Sequence, residues 1–567
     1  MTRMTRWKCD ARTRRTIRVG LLLAMWVIHA VTAAASERRL AIREYRSRMA
    51  AGWLGQMAGV TWGAPTEFKW KDAIIPADRV PAWSPAKLVG GFDQDDMYVE
   101  MTFLRTLELH GLEVSIRRAG IDFANSEYPL WCANKAGRNN LRRGIAPPDS
   151  GHPAFNRCPN DIDYQIEADY SGLIAPGLPQ AAVDFGEKFG RLMNYGDGVY
   201  AGQFIGAMYA AAFFESDRER VVESALRAIP SESHYAEMVR DVLAWYRAEP
   251  RDWEATWRKC QKKWREDPAY QKGSNGGIDC RINGAYVLIG LLYGGGDMTN
   301  TIVIAMRCGQ DSDCNPSSAA GVLGTMLGIE RLPSEWRTAL PRDRRFSYTA
   351  YTWDDLLRVC EQLARQVILR YGGRVEQQGT ESEVWVIPDA ALRPSKLVRS
   401  WEPEPPLGVR FDPIELAEIR WPPEDDVVGA VKKFFPGWNV DRCGRDMEPG
   451  FRHQWGGRAN VVVTHPWDRT TPCVLWRSVR VPSSGARLRI EVANDPRGDF
   501  ELIVKVDGNV VTQRVVNVSD ASAVRWFTQE VDLSPWAGKE CRIELENRAN
   551  GWSWEAAYWS KVECLPQ

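Results

Sequence analysis

The chain has 567 residues, of which 44% are hydrophobic and 26% charged. This composition is typical of a folded globular protein and excludes an intrinsically disordered chain. Lysine plus arginine and aspartate plus glutamate both number 73, so no net charge attracts nucleic acid or an anionic membrane, and we expect neither as a partner. The length predicts two or three domains.

The N-terminus has the order of an export signal. A basic stretch, "MTRMTRWKCDARTRRTIRVG", precedes the apolar "LLLAMWVIHAVTAAA". This pattern predicts a signal peptide at residues 1–35, cleaved near Ala35, and hence a secreted or periplasmic protein. The segment "TRRTIR" also resembles a twin-arginine signal. The alternative is an uncleaved anchor, although the apolar run is short for a membrane span. After cleavage we expect no stable membrane insertion.

The cysteine content suits an exported protein. Of the twelve cysteines, eleven lie beyond the predicted cleavage point. Disulfides form in exported proteins, but an odd number leaves at least one thiol free or bonded to another chain. The spacing does not fix the pairing.

The region from residue 38 to residue 373 predicts an all-α domain. "ESHYAEMVRDVLAWYRAEP" and "WDDLLRVCEQLARQVILRYGG" carry apolar residues at intervals of three and four. "QFIGAMYAAAFF" is apolar on nearly every side, as expected of a helix buried inside a bundle.

The sequence pattern changes after residue 373, from helical to strand-like and proline-rich. Residues 374–431 contain the strand-like "SEVWVIP" and the proline-rich "SWEPEPPLGVRFDP", and we interpret them as a linker with short strands. Residues 432–567 consist of short alternating runs, which predict a β-sandwich or jelly roll. The pair Asp507-Gly508 predicts a hairpin turn.

Five tryptophans lie close together near the end of the chain: Trp526, Trp536, Trp552, Trp554 and Trp559. Exposed tryptophans stack on sugar rings, which makes the sandwich a candidate carbohydrate-binding domain. The alternative is that most of them fill the sandwich core.

Two pairs of aspartates each precede a helical stretch. Asp95 and Asp96 lie in "GGFDQDDMYVEMTFLRTLELHG", where alone they would be read as helix caps. Asp311 and Asp313 repeat this setting in "RCGQDSDCNPSSAAG". Four such carboxylates brought together would repel one another without cations between them.

The residue types favour a hard cation at these aspartates. Oxygen ligands suit Mg²⁺, Mn²⁺ or Ca²⁺. A zinc site would require several cysteine or histidine ligands, whereas the chain has six histidines and no Cys-x-x-Cys pair.

A glycine-rich stretch, "RMAAGWLGQMAGVTWGAPTEF", precedes both pairs. Its glycines, at three- and four-residue spacing, would form one smooth helical stripe. Close helix packing explains such a stripe better than ligand binding. Glu67 follows in a predicted loop.

Together, in this order, the three stretches resemble the ADP-ribosylglycohydrolase family over about residues 40–370. The resemblance implies an all-α bundle with two Mg²⁺ ions. Asp95, Asp96, Asp311 and Asp313 match the family's metal ligands, and Glu67 matches a glutamate that controls access to the metals. On this basis Glu67, Asp96 and Asp311 are the candidate catalytic residues.

Three substitutions alter the two metal motifs, and Val60 also replaces an acidic residue often found in the family's opening helix. Gln94 replaces a Ser/Thr ligand, Met97 replaces the second threonine of the first motif, and Cys314 stands where the second motif has threonine. Gln94 and Cys314 complete the candidate metal-ligand set. The intact aspartates predict one or two bound Mg²⁺ ions.

Two further stretches supply candidate substrate-binding residues. Gly196, Asp197 and Gly198, in "NYGDGVYAG", resemble the family's substrate loop, and a simple turn is an equal alternative. The residues that follow lack the family's arginine, which weakens ADP-ribose as the substrate. Asp161 and Asp163 form another acidic pair, which either lines the same cleft or caps a helix.

The resemblance implies a Mg²⁺-dependent hydrolase that cleaves an N- or O-glycosidic bond of a ribofuranosyl-type, ADP-ribosyl substrate. Export favours an alternative on the same fold, the hydrolysis of furanosides in extracellular glycans. A third possibility is a non-catalytic protein that binds a sugar or nucleotide. The expected partner is therefore a small molecule or a glycan.

Overall fold

The computed structural model describes residues 37–271 and 278–566. The predicted signal peptide, residues 1–35, lies outside the described residues. Within the described ranges, no helix is long and apolar enough to cross a bilayer.

The first domain is helical, as the sequence predicts. Its described α-helices are α1 Ile42–Gly63, α2 Asp95–His110, α3 Ile116–Ala124, α4 Ala133–Arg142, α5 Asp163–Ile166, α6 Asp169–Leu173, α7 Pro179–Phe189, α8 Asp197–Ala212, α9 Arg218–Leu226, α10 His234–Ala248, α11 Trp253–Cys260, α12 Cys280–Tyr293, α13 Met298–Arg307, α14 Cys314–Leu327, α15 Ser334–Ala339 and α16 Trp353–Arg370. Helices α8 and α12 are buried on all sides.

Helix α1 lies at the centre of this domain and packs along α14. A Cβ atom on Gly55 would lie 2.3 Å from the carbonyl oxygen of Ala320, and one on Gly59 would lie 2.3 Å from that of Pro316. No larger residue fits at such distances without movement of the backbone. The glycine stripe is therefore a packing surface, which confirms the preferred interpretation.

A small antiparallel sheet closes the helical domain. It consists of β1 Arg38–Ala41, β2 Arg374–Glu376 and β3 Val384–Ile387, in the order β1-β3-β2. Trp385 on β3 is fully buried, and its ring centroid lies 4.3 Å from that of Tyr45. The two sequence ends of the domain thus meet in one sheet.

The segment from residue 388 to residue 426 lies on the surface of the helical domain. The carboxylate of Asp149 accepts the backbone N–H groups of Leu407 and Val409, each at 3.0 Å. A short helix follows, α17 Pro413–Glu418. The proline-rich stretch is therefore anchored along its length to the helical domain.

The second domain is a β-sandwich, preceded by helix α18 Val427–Phe434. Its strands are β4 Asn439–Asp441, β5 Gly450–Trp455, β6 Arg458–Thr464, β7 Cys473–Arg480, β8 Ala486–Asn494, β9 Phe500–Val506, β10 Asn509–Val516, β11 Phe527–Asp532, β12 Glu540–Arg548 and β13 Ala557–Pro566. They form two five-stranded antiparallel sheets, in the orders β10-β9-β12-β7-β4 and β11-β8-β13-β6-β5. Asp507 and Gly508 form the β9–β10 turn with positive φ, which confirms the predicted hairpin.

The clustered tryptophans divide between the core and the surface. Trp559 is fully buried between the sheets. Trp554 is 44% exposed, and the guanidinium of Arg497 lies 3.5 Å from the centre of its ring. Neither of the two alternatives therefore describes the whole set.

Helix α4 joins the two domains. The side chains of Arg138 and Arg142 on α4 are both fully buried and approach the carboxylate of Glu424 at 2.6 and 3.5 Å. Arg142 also lies 3.3 Å from the ring nitrogen of His453 on β5. Glu424 lies at the end of the surface segment, and its backbone carbonyl accepts the N–H of Phe451 on β5 at 3.0 Å. The ion pair and the Arg142–His453 contact together tie α4 to the sandwich, because separation would leave buried charges without partners.

Candidate metal centre

The two aspartate pairs lie at helix starts that face each other. Helix α2 begins at Asp95, and α14 begins directly after Asp313. Asp311, Asp313 and Cys314 each offer one ligand atom, and these atoms all lie within 4.8 Å of one another. The charges of Asp95 and Asp311 both act on Asp96. The structure therefore assembles the four aspartates into one cluster.

A tight turn at Gly309 and Gln310 precedes the second aspartate pair, Asp311 and Asp313, and sets its position. Gly309 and Gln310 have φ values of +80° and +56°, a left-handed conformation that favours glycine. The backbone N–H of Gln310 donates to the carbonyl oxygen of Trp70 at 3.0 Å, and that of Phe68 donates to the carbonyl oxygen of Gln310 at 2.9 Å. The turn is thus paired with the segment that follows α1.

The same pairing positions Glu67. Its neighbour Thr66 forms a hydroxyl–hydroxyl hydrogen bond of 2.7 Å with Ser312, which lies between Asp311 and Asp313. The side chain of Glu67 is exposed to solvent. Partial desolvation by the surrounding protein nevertheless raises its pKa, and the charge of Asp95 raises it further.

Burial raises the pKa of each aspartate in the cluster. For Asp96 and Asp311 the loss of water is the largest cause, followed by the charges of Asp95 and Asp313 respectively. For Asp313, too, burial is the largest cause of the raised pKa, and the charge of Glu67 is the second largest. Carboxylates in this setting resist ionisation unless positive charge is placed among them.

Three carboxylate oxygens of the cluster are unpaired within the described residues. Both carboxylate oxygens of Asp96 and Oδ2 of Asp311 are buried without a hydrogen-bond partner there. Buried polar atoms are nearly always paired, so unpaired ones require an explanation. Oxygen-only ligands at this density fit a hard divalent cation such as Mg²⁺.

The departures from the family pattern fall in different places: Cys314 lies within the aspartate cluster, Gln94 precedes α2, and Met97 lies in the core. Gln94 is the half-buried residue before α2, and its carbonyl oxygen accepts the N–H groups of Met97 and Tyr98. Met97 is fully buried in the hydrophobic core. The Cys314 thiol lies 3.8 Å from Oδ1 of Asp313, and burial followed by the charge of Asp311 raises its pKa.

Asp163 joins the acidic cluster together with a residue that the sequence did not single out. Oδ1 of Asp163 accepts the backbone N–H of Asn134 at 3.1 Å, and the Asn134 amide donates to Glu167 at 2.9 Å. Burial raises the pKa of Asp163 to about 6, and Asp95 adds to the shift. Glu167 follows Asp163 by four residues, and this spacing of two carboxylates is the signal in the sequence that could have identified it.

Asp161 lies beside a disulfide bond. Cys132 and Cys158 are bonded, and both sulfur atoms lie within 4.8 Å of a carboxylate oxygen of Asp161. The backbone carbonyl of Asp161 accepts the side-chain amide of Asn194 at 2.9 Å. This aspartate therefore belongs to the wall that carries Asp163.

The glycine loop is buried and forms its contacts within the protein. A Cβ atom on Gly196 would lie 3.0 Å from the carbonyl oxygen of Val398, and one on Gly198 would lie 2.4 Å from that of Pro159. Oδ1 of Asp197 accepts the backbone N–H of Tyr235 at 3.1 Å. The segment around Val398 therefore packs against the loop, and the three residues remain candidates from the resemblance.

Three solved structures have weak similarity to parts of the chain. A structure titled "ADP-ribosylglycohydrolase-related protein complex" is 15% identical over 57% of this chain and 100% of that chain, with a TM-score of 0.37. An adhesin domain of Lys-gingipain from Porphyromonas gingivalis W83 is 12% identical over 23% of this chain and 92% of its own, with a TM-score of 0.19. TmCBM61, in complex with β-1,4-galactotriose, is 17% identical over 24% and 90% respectively, with a TM-score of 0.17.

No curated protein matches the chain significantly. The family model described as ADP-ribosylglycohydrolase, by contrast, matches residues 42–373. This range is more than half of the chain and contains all four clustered aspartates. The resemblance drawn from the sequence motifs is confirmed: the chain belongs to the ADP-ribosylglycohydrolase family.

Proposed function

We propose that this member of the family is an exported, Mg²⁺-dependent hydrolase of an N- or O-glycosidic bond in a ribofuranosyl-type substrate. ADP-ribosyl conjugates are the first substrate class to test. Membership in the family supports the hydrolase activity. The predicted N-terminal signal supports export.

One observation carries the metal dependence: three buried carboxylate oxygens in the cluster have no hydrogen-bond partner among the described residues. Asp95, Asp96, Asp311 and Asp313 would hold one or two Mg²⁺ ions. The side-chain oxygen of Gln94 and the thiol of Cys314 are the further candidate ligands, and the thiol lies within 4.8 Å of ligand atoms of Asp311 and Asp313.

Bound divalent cations supply Lewis acidity toward the oxygens of a sugar diol and of water. The other functions belong to the side chains around them. Glu67 is accessible and has a raised pKa, which suits the transfer of a proton at the glycosidic bond or at the attacking water. Asp163 and Glu167, held in place by Asn134, would accept hydrogen bonds from sugar hydroxyls and orient the ring.

A second candidate function is the hydrolysis of furanosides in extracellular glycans. The observation that favours it is the burial of the glycine loop beneath the segment around Val398. A segment packed this closely against Gly196 leaves less room there for a diphosphate. Val199 and Tyr200 also stand where the family has an arginine able to assist one.

The decisive experiment combines metal analysis of the purified protein with hydrolysis assays on ADP-ribosyl and furanosyl substrates, with and without Mg²⁺. We expect Asp311→Asn to lose both bound metal and turnover. Asp78→Asn, a change at an exposed aspartate, is the control and should retain both. The absence of any bound divalent ion at millimolar Mg²⁺ would refute the metal centre.

The same assays separate an enzyme from a binding protein. An enzyme shows turnover that Asp311→Asn abolishes. A binding protein shows no turnover in either form while it still retains the ligand.

A further inference from the structure

A cleft of about 760 Å³ lies between the helical domain and the sandwich. Trp131, Lys135 and Arg157 line it from the helical side, and Arg445 and Arg452 line it from the sandwich. Ligand sites occur preferentially at domain interfaces. The buried pairing of α4 with Glu424 holds the two walls in a fixed relation.

The cleft carries excess positive charge. Every acidic residue on its walls is already in an ion pair: Glu424 with Arg138, Asp425 with Arg143 and Glu448 with Lys135. Neither Arg157 nor Arg445 forms an ion pair among the residues that the structure describes, and both are exposed; the charge of Arg157 does reach Glu448 on the opposite wall. Unpaired guanidinium groups on opposite walls of a cleft suit an anion, because each can donate two parallel hydrogen bonds to it.

An aromatic surface accompanies the two arginines. Trp131 is 57% exposed, an unusual state for so large an apolar side chain. The face of an indole ring stacks on the apolar face of a sugar while the sugar hydroxyls remain hydrated. A sugar with an anionic substituent would match both the ring and the arginines.

One loop connects this cleft with the metal centre. The backbone N–H of Trp131 donates to the side-chain oxygen of Asn134 at 2.9 Å. The backbone N–H of Asn134 in turn donates to Asp163, whose pKa responds to the charge of Asp95. A substrate that reaches across this loop would contact both places.

We propose that the interdomain cleft binds an anionic sugar through Arg157 and Arg445, with Trp131 as the stacking surface. This sugar is the part of the substrate that adjoins the unit processed at the metal centre. The anionic group is the carboxylate or sulfate of an acidic glycan, or the diphosphate of a nucleotide sugar. The assignment to one substrate rests on the proposed function, whereas the binding itself does not.

Calorimetric titration of the full chain tests the site with three probes: a galacturonate tetrasaccharide, a neutral galactan tetrasaccharide and ADP-ribose. We expect at least one anionic probe to bind, and to bind about tenfold more tightly than the neutral one, with about tenfold loss in the double variant R157A/R445A. The matched control is R220A/R480A, which removes two exposed arginines, one from each domain, that do not line the cleft. It should bind as the unmodified chain does.

The titration distinguishes the two kinds of ligand, an acidic glycan and a nucleotide sugar. Arginine-dependent binding of the galacturonate alone identifies an acidic glycan, and that of ADP-ribose alone identifies a nucleotide sugar. Trp131→Ala should weaken the same probe. Equal binding by R157A/R445A and the unmodified chain, or no binding of either anionic probe, would overturn the proposal.

Repeating the titration with Asp311→Asn separates this inference from the proposed function. Retained arginine-dependent binding without any hydrolysis by the unmodified chain would refute only the proposed function. Hydrolysis that is unaffected by R157A/R445A, with no arginine-dependent binding, would refute only the cleft.

Discussion

Gly63 and Ser312 lie in direct backbone contact: a Cβ atom on Gly63 would come within 2.1 Å of the Ser312 carbonyl oxygen and 2.5 Å of Cα of Asp313. The end of α1 is thus the floor of the loop that carries two of the four clustered aspartates. The shape of that loop depends on the absence of a side chain from α1.

Gly63→Ala should therefore damage the fold and the metal centre together. Overpacking of a close contact costs about 1–3 kcal/mol, and the displaced loop should weaken Mg²⁺ binding at least about tenfold. Urea denaturation and Mg²⁺ titration measure the two effects. Gly90→Ala is the control, since its Cβ would only reach ordinary contact with Thr61 at 3.5 Å. Equal behaviour of the two variants would contradict the backbone-contact argument.

Asp96→Asn should have opposite effects on the metal-free and metal-loaded protein. The amide carries no charge, so it relieves repulsion within the buried cluster and should raise the melting temperature in EDTA. The unmodified chain should gain about 2.7 kcal/mol at a Mg²⁺ concentration of 100 times its Kd, whereas the variant should gain almost nothing. Thermal melts in EDTA test the expected rise in melting temperature, and melts with Mg²⁺ test the expected loss of stabilisation by the ion. A lower melting temperature for the variant in EDTA would count against the repulsion.

Cys314→Ser should change which ion the site prefers. The thiol is buried beside Asp313, and sulfur favours soft ions whereas a hydroxyl favours hard ones. We expect the ratio of Mg²⁺ to Cd²⁺ affinity to rise about tenfold, or about 1.4 kcal/mol. Competition titrations measure the ratio. Cys564→Ser, a change in the sandwich, should leave it unaltered, and an unchanged ratio in Cys314→Ser would place the thiol outside the ligand set.

The domain interface should weaken in acid through His453. Burial, with help from Arg142 and Arg138, lowers the pKa of His453 to about 2, from an ordinary value of about 6.5. Between these two values the unfolded chain binds a proton there that the folded chain does not. The free energy of unfolding therefore falls by about 1.4 kcal/mol for each pH unit below 6.5, or about 2 kcal/mol by pH 5.

Urea denaturation at pH 7 and pH 5 measures this loss. The variant His453→Gln cannot titrate at this position. Its free energy of unfolding should therefore fall less steeply below pH 6.5, by the slope that corresponds to one proton. Identical slopes in the two proteins would show that His453 titrates normally in the folded state.

Reduction of the bond between Cys132 and Cys158 should loosen the wall of the acidic site. The two residues are 26 positions apart, and opening a loop of this size costs about 3 kcal/mol. Because Asn134 follows Cys132 by two residues, turnover should also fall. Denaturation of the unmodified chain with and without reductant measures the loss. The double variant C132S/C158S should not respond to reductant, and an equal response would assign the effect to other cysteines.

The grouping of the four aspartates was predictable because its signals in the sequence are local. Asp95 and Asp96, and later Asp311 and Asp313, each lie directly before a helix, and the order of the motifs identified the family. The spacing of the glycines in α1 likewise predicted their role as a packing surface. Each of these features depends on residues close together in the chain.

The features that escaped prediction depend on distant segments. Gly196 is buried because Val398, some 200 residues later, lies over it. Arg157 and Arg445 meet in one cleft only after two domains have packed together. Met97 departs from the family motif, and its place in the core follows from the side of α2 that it occupies. No periodicity in the sequence encodes contacts of this kind.

Helix α4 has a consequence for how this protein can be divided. Arg138 and Arg142 remain compensated only while Glu424, beyond the family-matched region, is present. A fragment that ends near residue 373 would retain every clustered aspartate and yet expose two stranded arginines on a helix whose other end supports Asp163. A fragment of the helical domain should therefore extend beyond residue 424, so that the two arginines keep the carboxylate that lies against them.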